Sequence, residues 1–249
     1  MDLPRPLAAV TVTLAAALTL ALAYSADAQR QTGIQSGYFA LGVQGYGLDD
    51  LNAALGQGGF PRIDQTAFRT SVGASRRLPG RLCSESSLWW DRFEADDEIT
   101  AAGAGVQTVS STRLGAIGIA TALDVDLLYP SAWNLYLGVG VDLGGGRLVT
   151  TRLFDASADP ADGAFAADVR ENKFTVASVG FAPRLTLEST EFGTKSGVGM
   201  RLFVQGGYRF GLAAEIEREG FLDQEIAPEF GNSGLTLQFG LSTRLLEKE

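Results

Sequence analysis

The sequence contains no histidine, and Cys83 is the one cysteine among its 249 residues. Histidine is the most frequent general base in hydrolases and the commonest metal ligand, so both of those designs are excluded. A single cysteine allows neither an intramolecular disulfide nor a thiolate metal cluster. We therefore predict that the chain is not an enzyme of the usual hydrolase kind and that it uses no cofactor or metal.

Basic residues are also scarce, with 20 Lys and Arg against 29 Asp and Glu and a net charge of −9. Nucleic-acid binding requires clustered basic side chains, so this balance argues against a nucleic-acid partner. Glycine, by contrast, is abundant at 31 residues. Because glycine weakens the interior of a helix by about 1 kcal/mol, this composition favours strands and turns.

One apolar run is long, covering residues 7–23 and followed by the small-residue pattern Ala-Asp-Ala at 26–28. This is the pattern of a secretory signal peptide with its cleavage site, so we predict that residues 1–28 are a signal peptide. A membrane anchor is the alternative, although the run is short for the roughly 20 residues of a spanning helix. Residues 29–249 lack another such run, so membrane residence would require a barrel.

The remaining sequence alternates apolar and polar side chains with a period of two residues, which is typical of strands with one apolar face. The segment 132–143 is the clearest, because Trp, Leu and Val alternate there with Asn, Tyr, Gly and Asp. Eight segments predict strands, at about 37–47, 66–76, 81–93, 109–128, 132–143, 173–187, 198–212 and 234–246. We therefore predict an all-β fold in a single domain over 29–249.

The connections between these segments alternate between long and short. Within the first long connection, residues 50–55 predict a short helical turn. Transmembrane barrels have long loops at the outer end and short turns at the periplasmic end. We therefore predict an antiparallel up-and-down transmembrane β-barrel of about eight strands with its long loops at one end. The alternative is a soluble periplasmic or secreted barrel that binds a small apolar ligand.

The strand pattern, the signal peptide and the loop parity resemble the small outer-membrane β-barrel proteins. These form the broad superfamily of eight-stranded, porin-like and OmpA/OmpX-like barrels. The segments 51–55, 59–61 and 82–90 also resemble uncharacterised members, and the resemblance covers about residues 36–246. It implies a location in the bacterial outer membrane, contact with outer-membrane lipid and no single activity, since members act in adhesion, envelope anchoring, defence and lipid modification. Such barrels usually end on an aromatic residue, whereas this chain ends in Leu-Leu-Glu-Lys-Glu.

The polar face of the predicted strands carries charged residues. The interior of an eight-stranded barrel is filled by side chains, and an unpaired buried charge costs several kcal/mol. We therefore predict a structural network of paired charges in the barrel lumen, formed by Arg69, Glu85, Asp124, Asp126, Arg184, Arg201, Arg209 and Arg244. Asp124 and Asp126, about 7 Å apart along one strand, also have the spacing of a glycosidase pair, but salt bridges to the lumen arginines are the favoured interpretation.

The predicted long loops are acidic. Residues 94–98 contain four carboxylates, and residues 213–230 contain six against Arg218 alone. The short turn at Arg76 and Arg77 is basic, so charge is segregated between the two ends. We predict a monomeric barrel with a structural or interaction role at the cell surface, whose acidic loops attract cations or cationic partners.

Several aromatic residues predict a girdle at the membrane interfaces, as outer-membrane barrels have. The alternative for each is ordinary packing between strands. The candidates are Trp89, Trp90, Tyr129, Trp133 and Tyr208.

Overall fold

The computed structural model describes residues 35–93, 95, 98–102, 106–128, 133–156, 167–192, 198–218 and 231–245. This part of the chain consists of strands and a short helix. The elements are β1 (Gln35–Gly45), α1 (Asp49–Gln57), β2 (Thr66–Arg77), β3 (Leu82–Arg92), β4 (Glu98–Ala102), β5 (Val106–Asp126), β6 (Asn134–Ala156), β7 (Ala167–Glu188), β8 (Val198–Arg218) and β9 (Gly234–Leu245). No helix in these ranges has the length and apolar character needed to cross a membrane.

The strands form one antiparallel sheet that closes on itself. The first and last strands, β1 and β9, pair with each other, and β3 and β4 both pair with β5. Because β3 lies along the second half of β5 and β4 lies along its first five residues, they act as two parts of one interrupted strand. The predicted antiparallel barrel of about eight strands is confirmed.

The barrel wall is much taller on one side. Strands β5 to β8 contain 21 to 23 residues, whereas β1, β2, β3 and β9 contain 11 or 12. The predicted strand 132–143 was too short at one end, since β6 continues through the glycines at 144–146 to Ala156. The predicted strand 173–187 likewise gains six residues at its start. Much of the long connection that was predicted between these two strands therefore belongs to the strands themselves.

The ends of β2, β5 and β7 and the starts of β3, β6 and β8 lie at one end of the barrel, which we call the turn end. At the opposite end, the loop end, lie the connection 46–65, the end of β8 and the start of β9. Several acidic positions predicted in loops lie instead on strands that extend toward the loop end: Glu98 on β4, Asp155 on β6, and Glu215 and Glu217 on β8. The other carboxylates of the predicted acidic loops fall outside the described residues.

The connection 46–65, which we call the cap, folds into the loop end of the barrel. Helix α1 spans Asp49–Gln57, longer than the predicted turn, and buries Leu51 and Leu55. These side chains pack with residues of the tall strands in an apolar cluster of Tyr46, Leu48, Leu51, Leu55, Ile63, Ala67, Phe93, Leu114, Leu148 and Val176. The Asn52 amide and the Ile63 backbone exchange hydrogen bonds of 2.9 and 2.8 Å, which hold the cap together.

Large apolar side chains point outward around the barrel, and we call them the apolar belt. They are Phe39, Leu41, Val43, Phe68, Val72, Leu82, Leu88, Trp90, Ile117, Ile119, Leu123, Val125, Trp133, Leu137, Val139, Val141, Leu185, Leu187, Leu202, Val204, Tyr208, Phe210, Leu212, Leu235, Leu237 and Phe239, all exposed. On β6 the belt starts beside Trp133, the residue that precedes the strand. A belt of about ten residues on a strand tilted by roughly 40° is about 25 Å tall, the height of the lipid-facing band in outer-membrane barrels.

The apolar face changes sides along β5, β6 and β7. Toward the turn end Ile117, Val141 and Leu185 face outward, whereas toward the loop end Leu114, Leu148 and Val176 face inward and are at most 3% exposed. The inward residues contact the cap. The apolar side chains of this part of the wall therefore lie inside the barrel and not on its outer face. This reversal marks the loop-end border of the apolar belt.

Candidate functional site

The barrel interior is the candidate site because the charged and polar side chains converge there. Side chains alternate between the two faces of a strand, so every second residue of each strand points inward. Arg209 is 1% exposed and Asp126 is 0% exposed, although both are charged residues. Charges buried this deeply require partners, since an isolated buried charge is strongly destabilising.

Arg184 on β7 joins two carboxylates, Asp124 on β5 and Glu85 on β3. Its guanidinium nitrogens lie 2.8 and 2.9 Å from the Glu85 oxygens and 2.5 and 2.9 Å from the Asp124 oxygens. The Tyr38 hydroxyl donates a further hydrogen bond of 2.7 Å to Glu85. Gly138 lies between Asp124 and Arg184 in the strand register, and a Cβ there would collide with the Asp124 carboxylate.

Arg69 on β2 forms a bidentate pair with Asp91 on β3, with both nitrogen–oxygen distances at 2.7 Å. The Tyr46 hydroxyl donates to the second oxygen of Asp91. Burial is the largest cause that raises the pKa of the Tyr46 phenol above its ordinary value; the Arg69 guanidinium opposes the rise and the Asp91 carboxylate adds to it. Tyr46 therefore keeps its proton and acts as a donor that ties the base of the cap to this ion pair.

Trp89 lies inside the barrel, at 3% exposure, so its predicted place in an interfacial girdle is wrong. Its neighbour Trp90 points outward and is 39% exposed, as the two-residue period of a strand requires. The Trp89 ring fills the space left by Gly118 and Gly144, and a Cβ at Gly144 would lie 2.6 Å from it. The Arg69 guanidinium stacks over the same ring at 4.4 Å from its centroid.

Arg209 on β8 is the most deeply buried arginine among the described residues and pairs with Asp142 on β6, with nitrogen–oxygen distances of 2.5 to 3.0 Å. It also donates to the Asn232 carbonyl oxygen at 2.5 Å, which fixes the start of β9 against the interior. Gly180 makes room for this side chain, since a Cβ there would lie 2.8 Å from the guanidinium carbon.

Two further arginines form ion pairs nearer the turn end. Arg201 on β8 pairs with Glu188 on β7 at 3.0 Å, and the Ser242 hydroxyl donates to Glu188 at 2.7 Å. Arg77 at the end of β2 pairs with Asp126 at 2.6 Å. Because β5 carries Asp124 and Asp126 to different arginines, the two carboxylates belong to separate pairs.

Among these clusters lies a cavity of about 60 Å³ that is lined by both charged and apolar residues. A cavity of this size holds a few water molecules but no organic substrate. Its wall includes Glu85, Trp89, Asp142, Arg184, Arg209 and Gln238. The interior is therefore a set of neighbouring ion pairs around a small cavity that can hold water.

Seven of the eight predicted lumen residues have described side chains, and the structure brings them into separate ion pairs rather than one continuous network. They are Arg69, Glu85, Asp124, Asp126, Arg184, Arg201 and Arg209. Arg244 lies on β9 opposite Ser36 and Gly199, and its side chain falls outside the described part. The partners Arg77, Asp91, Asp142 and Glu188 were missed, although strand alternation already assigned Asp91 and Asp142 to the polar face.

No group of three or more His, Cys, Asp or Glu that could hold a metal ion occurs among the described residues. The predicted acidic loop segments 94–98 and 213–230, which were expected to attract cations, lie largely outside those residues. Of the candidate girdle residues, Trp90, Trp133 and Tyr208 are exposed on the outer face, and Tyr129 is outside the described part.

No protein-family model and no curated protein matches the sequence. Solved structures do match. A major outer membrane protein from Thermus thermophilus has a TM-score of 0.44 at 9% identity, with 84% of this chain and 99% of that chain covered. Neisserial surface protein A has a TM-score of 0.35 at 11% identity, covering 87% and 98%. The attachment invasion locus protein Ail of Yersinia pestis has a TM-score of 0.32 at 9% identity, covering 85% and 95%.

These solved structures are similar to the chain at low identity and low TM-score, so the fold rests on the closed sheet itself. The chain is a small closed antiparallel barrel that resembles outer-membrane barrels, as the sequence predicted.

Proposed function

We propose that this chain is a non-enzymatic outer-membrane β-barrel, exported through its signal peptide, with a structural or interaction role at the cell surface. The observation that carries the proposal is the distribution of side chains: apolar outside, charged and paired inside. A soluble barrel requires apolar side chains inside and polar or charged side chains outside. The loop end faces outward in this proposal, as the long connections of outer-membrane barrels do.

The energetic argument concerns the apolar belt. Burying a large apolar side chain completely is worth about 1.5–3 kcal/mol, so each half-exposed belt residue forgoes about 1 kcal/mol in water. Summed over the belt this amounts to tens of kcal/mol, which is more than the net stability of a typical folded domain. Contiguous exposed apolar surface of this extent marks a membrane or partner site, and a belt around the whole barrel fits lipid.

The interior supports a structural rather than catalytic role. Asp124 and Asp126 are engaged by separate arginines, which leaves neither free to act as acid or base in a glycosidase pair. The alternative of a soluble barrel with an apolar ligand would need an apolar interior pocket. The described interior instead has a cavity of about 60 Å³ whose wall includes the charged Glu85, Asp142, Arg184 and Arg209.

The interaction role is assigned to the loop end. Four tall strands raise one side of the wall above the belt, and the cap fills the inside of that wall. The strand positions toward this end include the acidic residues Glu98, Asp155, Glu215 and Glu217. Acidic residues attract cations or cationic partners, with an attraction that weakens as ionic strength rises.

Extraction and gel mobility test the membrane assignment. We expect the protein to stay in the envelope pellet after carbonate and high-salt washing and to require detergent for release. We also expect the unboiled protein to migrate faster than the boiled protein on a denaturing gel, because the closed barrel resists unfolding. Release by carbonate as a detergent-free monomer would contradict the proposal and favour the soluble alternative.

A further inference from the structure

The pairing of β7 with β8 is interrupted within the apolar belt. Phe181 pairs with Phe210 and Arg184 pairs with Gly207, whereas the two residues between them on each strand are left out of the register. By contrast, β6 pairs with β5 and with β7 without a break. We call the stretch between these two pairs, together with the pairs themselves, the seam.

Pro183 on β7 accounts for the interruption. Proline has no backbone N–H, so it cannot donate a hydrogen bond to a neighbouring strand. Its pairing with Val139 on β6 is retained and its pairing with β8 is lost, so the missing donor lies on the β8 side. A second irregularity lies nearer the loop end, where the register shifts between Val179 and Gly180. The ladder between β7 and β8 is therefore weakened at two neighbouring places.

The inner side of the seam borders the cavity. Its inward-facing residues all belong to the cavity wall: Ala182, Arg184, Gly207 and Arg209. Because Ala182 has only a methyl group and Gly207 has no side chain, no large side chain separates the cavity from the backbone of the two strands there. A cavity of about 60 Å³ holds a few water molecules. Water in the cavity would therefore lie beside the backbone at which the ladder is interrupted.

The outer side of the seam is covered by aromatic rings toward the loop end. The rings of Phe181 and Phe210 stack with their centroids 4.9 Å apart, and the Tyr208 ring lies 4.7 Å from that of Phe210. Toward the turn end, the next outward position on β8 is Gly206, where an added Cβ would have only the Thr236 carbonyl oxygen within 4 Å. Ring stacking therefore holds one side of the seam, and β8 provides no covering side chain on the other.

Lipid surrounds this part of the wall in the proposed function, and hydrocarbon offers no hydrogen-bond partner. An unpaired backbone group in hydrocarbon is strongly destabilising, so transmembrane strands pair their backbone groups with one another. At the seam the partner can come from the cavity, because a bridging water satisfies a backbone group nearly as well as a direct hydrogen bond. Strands joined partly through exchangeable water separate more readily than strands joined by a continuous ladder.

We propose that water from the cavity occupies the seam and that β7 and β8 separate there locally, which makes the seam a lateral opening between the barrel interior and the bilayer. This inference rests on the proposed membrane location, which makes the interior the source of the water. It adds a defined point of opening to a barrel whose loop end is filled by the cap and whose turn end contains ion pairs.

Amide hydrogen exchange of the protein in lipid nanodiscs, resolved residue by residue by NMR, tests the opening. Protection relative to the unfolded chain is compared between the amides of Phe181 and Phe210 and those of the unbroken pair Thr121 and Val141 on β5 and β6. Because one backbone hydrogen bond changes a local opening equilibrium by about fivefold, we expect the seam amides to be at least about fivefold less protected. We also expect magnetisation transfer from bound water to the Tyr208 amide and none to Val141. Equal protection of the two pairs, or no transfer to Tyr208, would overturn the proposal.

Pro183→Val tests the cause, because it returns the missing N–H to β7. Leu185→Val is the matched control, since it changes an apolar residue on the same face of the same strand without adding a donor. We expect Pro183→Val to raise the protection of the seam amides by at least about fivefold and Leu185→Val to change it by less than about twofold. Unchanged protection in Pro183→Val would overturn the proposal. If the gel-mobility shift persists in that case, only the seam assignment fails and the membrane proposal stands.

Discussion

Replacing Arg184 with Met is expected to destabilise the barrel by about 3–5 kcal/mol, since two carboxylates would be left buried without a counter-charge. Glu85 and Asp124 have side chains that are 15% and 6% exposed, so water compensates little. The free energy of unfolding in urea, followed by tryptophan fluorescence in detergent or lipid, measures the loss. Arg62→Met at an exposed position is the control, expected to stay within about 0.5 kcal/mol.

A rescue variant separates lost charge pairing from lost packing. Adding Glu85→Gln and Asp124→Asn to Arg184→Met removes the uncompensated charges while keeping nearly the same volume. We expect this triple variant to recover most of the lost stability, because neutral amides are far cheaper to bury than carboxylates. A cost below about 1 kcal/mol for Arg184→Met alone would mean that the carboxylates are solvated, contrary to the interior described above.

Placing a charge on the belt is expected to have the second large effect. Val139 is 48% exposed on the outer face of β6, near the middle of the belt. In water Val139→Arg would be tolerated, but at the centre of a bilayer an arginine on the lipid face costs about 2–4 kcal/mol. The measurement is the free energy of unfolding in lipid vesicles.

Thr151→Arg is the matched control for Val139→Arg, because it lies on the same strand and the same face but beyond the belt. Its expected cost is about 0–1 kcal/mol, since the penalty falls near the interface. Equal costs for the two variants would show that lipid does not surround Val139.

The sequence was sufficient to predict the barrel and the side on which most strand residues lie. Alternation with a period of two assigns Leu137 outward and Gly138 inward without knowledge of any partner. The lengths of β6, β7 and β8 were underestimated, and on β6 the reason is that the apolar face reverses: Val141 points outward but Leu148 points inward to the cap. When the apolar residues move from one face of a strand to the other, the two-residue alternation is interrupted. In the sequence this interruption looks like the end of the strand.

The ion pairs were predicted as a class, but their partners were not. Arg184 meets Asp124 across Gly138, which depends on the register of three strands. Register is set by pairing across the whole sheet and cannot be read from one strand. Trp89 is a different case. Alternation alone places Trp89 and Trp90 on opposite faces of the strand, so a girdle role for both was inconsistent with that pattern.

The most direct test of a barrel with apolar side chains outside and charged side chains inside uses the three tryptophans of the chain. Trp89 and Trp90 are adjacent in sequence but lie on opposite faces of β3. Two variants each keep one of this pair: Trp90→Phe with Trp133→Phe leaves Trp89, and Trp89→Phe with Trp133→Phe leaves Trp90. In vesicles of lipids brominated on their acyl chains, fluorescence quenching reports contact between each indole and lipid. We predict strong quenching of Trp90 and little quenching of Trp89; equal quenching of both, or stronger quenching of Trp89, would contradict a barrel with its apolar belt in lipid and its charges inside.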